Sequence, residues 1–134
     1  MIRLYFKILA FILLTQNLIA MDIKTFYKLD IEATKITIIG AKKTLSKLKE
    51  NASNKDIFST LDETQKQIQE LYKKENTTPS KALGYYMEHK VEADNYYKKN
   101  KELQEEYKRL KSKLESITTQ IDTLKEERNK WWNL

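Results

Sequence analysis

The fold turns on the stretch Pro79–Trp131, PSKALGYYMEHKVEADNYYKKNKELQEEYKRLKSKLESITTQIDTLKEERNKW. Taken in alternating steps of three and four, it reads Pro79, Ala82, Tyr86, His89, Ala93, Tyr96, Asn100, Leu103, Tyr107, Leu110, Leu114, Ile117, Ile121, Leu124, Arg128 and Trp131. A seam recurring every 3.5 residues, with no Gly or Pro after Gly84, marks a helix that packs along its whole length against other helices. As one continuous helix it predicts a rod on the order of 75–80 Å, at about 1.5 Å per residue. A narrow apolar seam cannot bury itself, so the rod needs a partner helix, from this chain or from a second copy.

The seam is uneven. From Leu103 to Leu124 it is made of Leu, Ile and one Tyr, which suits a tight two-stranded or self-associating coil. From Ala82 to Asn100 it is roomy, with two Ala residues that admit close approach and with Tyr85, Tyr86, Tyr96 and Tyr97 as wide amphipathic faces. This half predicts packing against the chain's own shorter helices. Asn100 is expected as a buried polar residue that fixes register at some cost in stability. His89, alone of its kind, is expected to be a satisfied structural histidine. Glu102, Glu105 and Glu106 stand three and four residues from Lys and Arg side chains, which is ordinary surface pairing on a helix.

Two shorter helical segments precede the rod. Residues 23–50 carry Tyr27, Ile31, Thr34, Ile38, Ala41, Leu45 and Leu48 at alternating steps of four and three. The run Ile36-Thr37-Ile38-Ile39 would also suit a strand, and Gly40 disfavours helix by about 1 kcal/mol. Helix is preferred because the period persists on both sides and no partner strand is evident. The lysine cluster Lys42, Lys43, Lys47 and Lys49 fits a solvated face near a helix C-terminus. Residues 56–74 continue with Ile57, Leu61, Thr64, Ile68 and Leu71, widened by Phe58 and Tyr72. Ser53 followed by Asp56 predicts a capped restart, and Thr78 before Pro79 predicts the N-cap and first position of the third helix.

Composition agrees with this reading. Only 2 Gly and 1 Pro in 134 residues, with 33% charged residues, is the make-up of long helices or coiled coil rather than of a sheet protein. The expectation is an all-α, elongated antiparallel helical hairpin or three-helix coiled coil, a single domain over residues 21–134. The lack of Cys excludes disulfides, thiolate metal sites, a Cys nucleophile and a lipidated-Cys anchor. A single His disfavours a His-based metal cage or a Ser-His-Asp triad. No phosphate-cradling loop or metal-ligand spacing appears, so no catalytic, metal or cofactor-binding residue is expected. The net charge is +6, or +4 without Arg3 and Lys7, and 19 acidic residues dilute it, which disfavours nucleic acid as a partner.

Residues 1–20, MIRLYFKILAFILLTQNLIA, read as an address. Arg3 and Lys7 form a basic start, Ile8–Leu14 an apolar core, and Leu18-Ile19-Ala20 a cleavage site before Met21. Thr15, Gln16 and Asn17 interrupt the apolar run, so a signal peptide is favoured over a retained membrane anchor or a buried helix. The product is expected in the periplasm or secreted, and membrane-anchored if the leader stays.

An exported helical protein with no catalytic constellation acts by contact. The expected contact surface is Tyr85, Tyr86, Tyr96 and Tyr97 together with an aromatic tip, Trp131 and Trp132, which either closes the seam or docks on a partner or a membrane interface. In its leader, its short Lys/Asn/Ile-rich helical body and its mature size, the chain resembles the haemolysin accessory family BlyB of Borrelia plasmid prophages. That resemblance implies a small membrane-active haemolysin or holin-like partner, which the chain would assist or stabilise, and it carries over no functional residue. Two other roles fit the pattern: a periplasmic holdase similar to the Skp family, though without its β-strand trimerisation body, and an inner-membrane spanin-like lysis protein. Homo-oligomerisation and peripheral membrane contact are compatible with each.

Overall fold

The computed structural model describes residues 21–132. The leader lies outside the described residues, as do the side chains of Trp131 and Trp132. The described chain is all-α, with five helices: α1 Ile23–Lys49, α2 Asn54–Lys74, α3 Pro79–Glu88, α4 Lys90–Lys99 and α5 Lys101–Trp132. None is long and apolar enough to cross a membrane among the described residues.

Helix ends follow the local chemistry. The Asp22 carboxylate accepts the Thr25 amide at 2.7 Å, Ser53 that of Asp56 at 3.2 Å and Thr78 that of Lys81 at 3.2 Å, so the second and third caps stand where the sequence puts them. The capping hydrogen bond also holds the Asp22 carboxyl below its usual pKa. At the other ends, Asn51 and Asn76 take left-handed φ values of 55° and 56°. Ala52 then donates its amide to the Lys47 carbonyl, and Thr77 to that of Tyr72, which closes both helices with a turn that asparagine tolerates.

Helix α1 is the axis of the molecule. Helix α2 returns antiparallel along it, so that Gly40 faces Thr64 while Leu29 packs with Tyr72. Helix α5 runs parallel to α1 along another face: Tyr107 bonds to Asp30 near one end, and Arg128 donates to the Ala52 carbonyl at 3.1 Å at the other. Ile38 and Leu45 of α1 and Leu110 and Ile117 of α5 are buried together, flanked by Ile31, Ala41, Leu114, Ile121 and Leu124. Each such side chain contributes roughly 1.5–3 kcal/mol when fully buried. The Leu/Ile half of the seam, whose partner could be this chain or a second copy, thus finds one within the chain.

The single rod expected over 79–131 is instead three helices, broken at His89 and Asn100. His89 leaves helical geometry at φ −116°, ψ 27°. Its ring stacks on Tyr85 at 4.2 Å and its Nδ1–H donates to the Tyr85 carbonyl at 2.9 Å, a structural role as expected. Asn100, expected to set register from a buried seam position, is half-buried and acts as an N-cap: its Oδ1 accepts the Leu103 amide at 3.1 Å. The Gln104 amide group donates to carbonyls at the break, Tyr97 at 2.7 Å, which also accepts the Asn100 amide, and Lys98 at 3.1 Å. These two bends let α3 rise along α1 and α4 cross over its first turns before α5 descends. Helices α3 and α4 cap the N-terminal end of α1.

On α2 the sequence reading also needs correcting. Thr60, not Leu61, is buried beside Ile57, while Leu61 and Phe58 project into solvent. Helix α1 meets α2 through a second stripe, Leu29, Ala33, Gly40 and Thr44, which the α5-facing heptad does not include. Its small residues set the close approach of the two helices.

Candidate functional site

The capped end is built around Tyr27. Its ring stacks on Tyr96 at 5.7 Å, meets Phe26 edge-on at 5.3 Å and Tyr107 edge-on at 6.0 Å, and lies 6.3 Å from Tyr97. Its hydroxyl donates to the Ala93 carbonyl at 2.7 Å. Ala93 is 0% exposed, and its small side chain is what lets α4 lie directly across α1. Phe26 extends the cluster by stacking on Tyr86 at 5.2 Å, and Tyr97 by an edge contact with Tyr107 at 5.9 Å. Offset and edge-on pairs of this kind add about 0.5–1.5 kcal/mol each beyond their buried area.

Tyr86, Tyr96 and Tyr97 are therefore half-buried members of an internal aromatic cluster rather than an open face. Tyr85 is half-buried on the far side of α3, against His89. What the cluster leaves open is a cleft of about 640 Å³ on the side of the α1–α5 pair away from α2. Phe26, Tyr27, Asp30 and Thr34 of α1 form one wall, and Leu83, Tyr86, Asp94 and Tyr97 of the cap form another. Tyr107, Leu110, Lys111 and Leu114 of α5 close the third. Aromatic and aliphatic carbon dominates, and the charged groups are few: two carboxylates and one ammonium.

Both carboxylates are engaged by phenols. Tyr107 donates to Asp30 at 2.6 Å, and Tyr86 makes a longer contact of 3.4 Å with Asp94. Burial, then the Asp30 carboxylate, raises the pKa of Tyr107. Burial, then Tyr86 and Asp94, pushes Tyr27 up to about 12. In the unfolded chain a tyrosine ionises near 10. Above that pH the unfolded state has released protons that the folded state retains, so stability falls as pH rises. The contribution of Tyr27 is complete below pH 10 and is lost between pH 10 and about 12. The melting temperature is expected to hold steady up to pH 9.5 and fall beyond pH 10, with a shallower fall for Tyr27→Phe. Absorbance at 295 nm checks the origin, because between pH 10 and about 11 the Tyr27 phenol ionises mainly in chains that have unfolded.

Next to the cleft the cap carries a ridge. Leu83 and Met87, one turn apart on α3, are 60% and 66% exposed, and Val91, at the start of α4 past the bend at His89, is 75% exposed. The sequence reading passed over these three because they lie off the heptad seam. Their signal was an apolar repeat with nothing opposite it. A smaller cleft at the other end is lined by Phe58 and Leu61 of α2 and by Lys125, Arg128 and Asn129 of α5. Trp131 and Trp132 end α5 near it, with side chains outside the described residues.

Among the described residues no three His, Asp or Glu side chains gather where a metal ion would sit. Acidic residues are spread over helix faces, where Lys35 pairs with Glu32 at 3.1 Å and with Glu106 at 3.7 Å, and Arg109 with Glu106 at 2.9 Å. Such exposed pairs contribute little. Compared with known protein families, curated proteins and solved structures, the chain gives no match.

Proposed function

We propose that the chain is an exported, non-catalytic accessory protein whose aromatic cleft holds an apolar helical segment of a small membrane-active partner. The observation that carries this reading is the cleft itself. It is an apolar trough with Asp30, Asp94 and Lys111 as its only charged lining residues, beside the exposed ridge of Leu83, Met87 and Val91. A trough of this make-up receives the apolar face of a helix, whose side chains at steps of three and four fill it. A partner that permeabilises membranes presents such a face and aggregates when it is uncovered, so holding it would keep it soluble until delivery. The N-terminal leader and the whole-chain resemblance to the BlyB family support the same role.

The test uses a fluorescein-labelled synthetic amphipathic helical peptide of about 20 residues and follows its anisotropy. Micromolar binding is expected, weakened at least tenfold by Leu83→Asp at the exposed rim. Absence of binding, or binding that ignores this substitution, refutes the reading. Export is tested separately by cell fractionation with N-terminal sequencing, where a mature start at Met21 outside the cytoplasm is expected.

A further inference from the structure

We propose that the cleft of one copy receives the Leu83–Met87–Val91 ridge of a second copy, giving a two-fold symmetric homodimer in which each ridge covers the other's cleft. The chain carries both halves of such a contact side by side. Leu83 begins the ridge and also lines the cleft, so a two-fold axis passing near Leu83 lays Met87 and Val91 of each copy over the other's apolar trough. Leu83 and Met87 stand one turn apart, about 6 Å at 1.5 Å per residue, and Val91 follows past the bend at His89.

The charges are reciprocal as well. Glu88 and Lys90 are exposed beside Met87 and Val91, and neither pairs with another described residue. The cleft offers Asp30 and Asp94 as carboxylates, bonded only to phenols, and Lys111 as the ammonium, held only by a loose, exposed pair with Glu115 at 3.9 Å. Each ridge charge thus has a counterpart of opposite sign in the cleft. A lipid surface fits less well. Over residues 79–100 the four lysines Lys81, Lys90, Lys98 and Lys99 are nearly balanced by Glu88, Glu92 and Asp94, which leaves little preference for anionic headgroups.

The inference rests on the reading of the cleft as a helix receiver and makes the chain itself the resting occupant, which a partner displaces. The chain contains no cysteine, so single cysteines report its contacts cleanly. Full-length Met87→Cys and Lys111→Cys chains, mixed and mildly oxidised, are expected to form a mixed disulfide several-fold more abundantly than either forms with itself. Sedimentation equilibrium at about 100 µM is expected to give twice the 16.0 kDa chain mass. Met87→Glu, at a side chain already in solvent, is expected to weaken the dimer at least tenfold without loss of helicity.

A monomer at that concentration overturns the proposal, as does a dimer indifferent to Met87→Glu or one that links Met87→Cys mainly to itself. So does Met87-dependent flotation of a monomer with phosphatidylglycerol vesicles, which would assign the ridge to lipid. If Lys111→Cys in a monomer resists maleimide until residues 1–20 are removed, the chain's own N-terminal segment fills the cleft, and the dimer is refuted. If the labelled peptide binds but no mixed disulfide forms, the dimer fails while the proposed function stands. If the disulfide forms but no peptide binds, the reverse holds.

Discussion

Replacing Tyr27 with Ala is expected to cost about 4 kcal/mol, within the range for removing a large aromatic side chain from a core. A chain of this size has a total stability on the order of 5–15 kcal/mol, so this one change consumes a large part of it. Tyr27 is where the cap is fastened to the axial helix: four aromatic rings lean on it, and its hydroxyl satisfies the carbonyl of a fully buried residue. Truncation opens a cavity among Tyr96, Tyr97 and Tyr107 and leaves the Ala93 carbonyl without that donor. Tyr27→Phe separates the two contributions, since it keeps the ring and loses only the hydrogen bond, at about 1 kcal/mol. Urea unfolding followed by circular dichroism measures both. A loss below about 1.5 kcal/mol for Tyr27→Ala would mean that the cap is held elsewhere.

The second large effect is expected at Gly40. In an exposed helix interior a change to Ala gains about 1 kcal/mol in propensity. Here a Cβ would collide with Thr64 of α2, running into its hydroxyl oxygen and lying 2.7 Å from its methyl carbon. Thr64 has little room to yield, because its hydroxyl donates to the Thr60 carbonyl at 2.9 Å one turn earlier. Overpacking of this kind costs roughly 1–3 kcal/mol, so Gly40→Ala is expected to be net destabilising by about 1 kcal/mol. Gly40→Leu, which forces α2 off its stripe, is expected to lose about 3 kcal/mol or more. The double variant Gly40→Ala with Thr64→Ala removes the hydroxyl and methyl contacts, leaves only the Cβ of residue 64 at 3.0 Å, and is expected to recover most of the lost melting temperature. If Gly40→Ala alone proves stabilising, the two helices are free to move apart.

The seam of the long C-terminal stretch was legible in the sequence. Every position on it from Ala82 to Arg128 is buried or half-buried, and Ala82, Ala93, Leu103, Leu110 and Ile117 are fully so. The breaks at His89 and Asn100 were not legible from the period, because each uses a single residue and the apolar phase resumes on the far side. Local chemistry did mark the second of them: Lys98 and Lys99 end one helix, Asn100 caps the next, and Glu102 stands in its first turn. The second stripe of α1 was hidden for a different reason. Ala33, Gly40 and Thr44 carry too little apolar surface to stand out, although small size is what a close helix contact demands. Of the four tyrosines expected to form a contact face, Tyr86 and Tyr97 line the cleft, whereas Tyr96 stacks on Tyr27 and Tyr85 on His89. A tyrosine reads as amphipathic from either side, and only the bend at the cap decides which side meets water.

The parallel pairing of α1 with α5 bears on how the chain folds. Helix α5 is joined to α1 and to the turn that follows it by contacts between residues 77 and 76 positions apart, whereas α1 and α2 form a local hairpin that needs only the first half of the described chain. Closing a loop of that length is slow relative to forming a hairpin. As the chain is synthesised, the hairpin is complete before α5 exists, and its Ile38–Leu45 strip stays bare until the last thirty or so residues arrive. For that interval the nascent protein is a two-helix intermediate with an open apolar strip. A chain truncated before Leu110 would remain in that state.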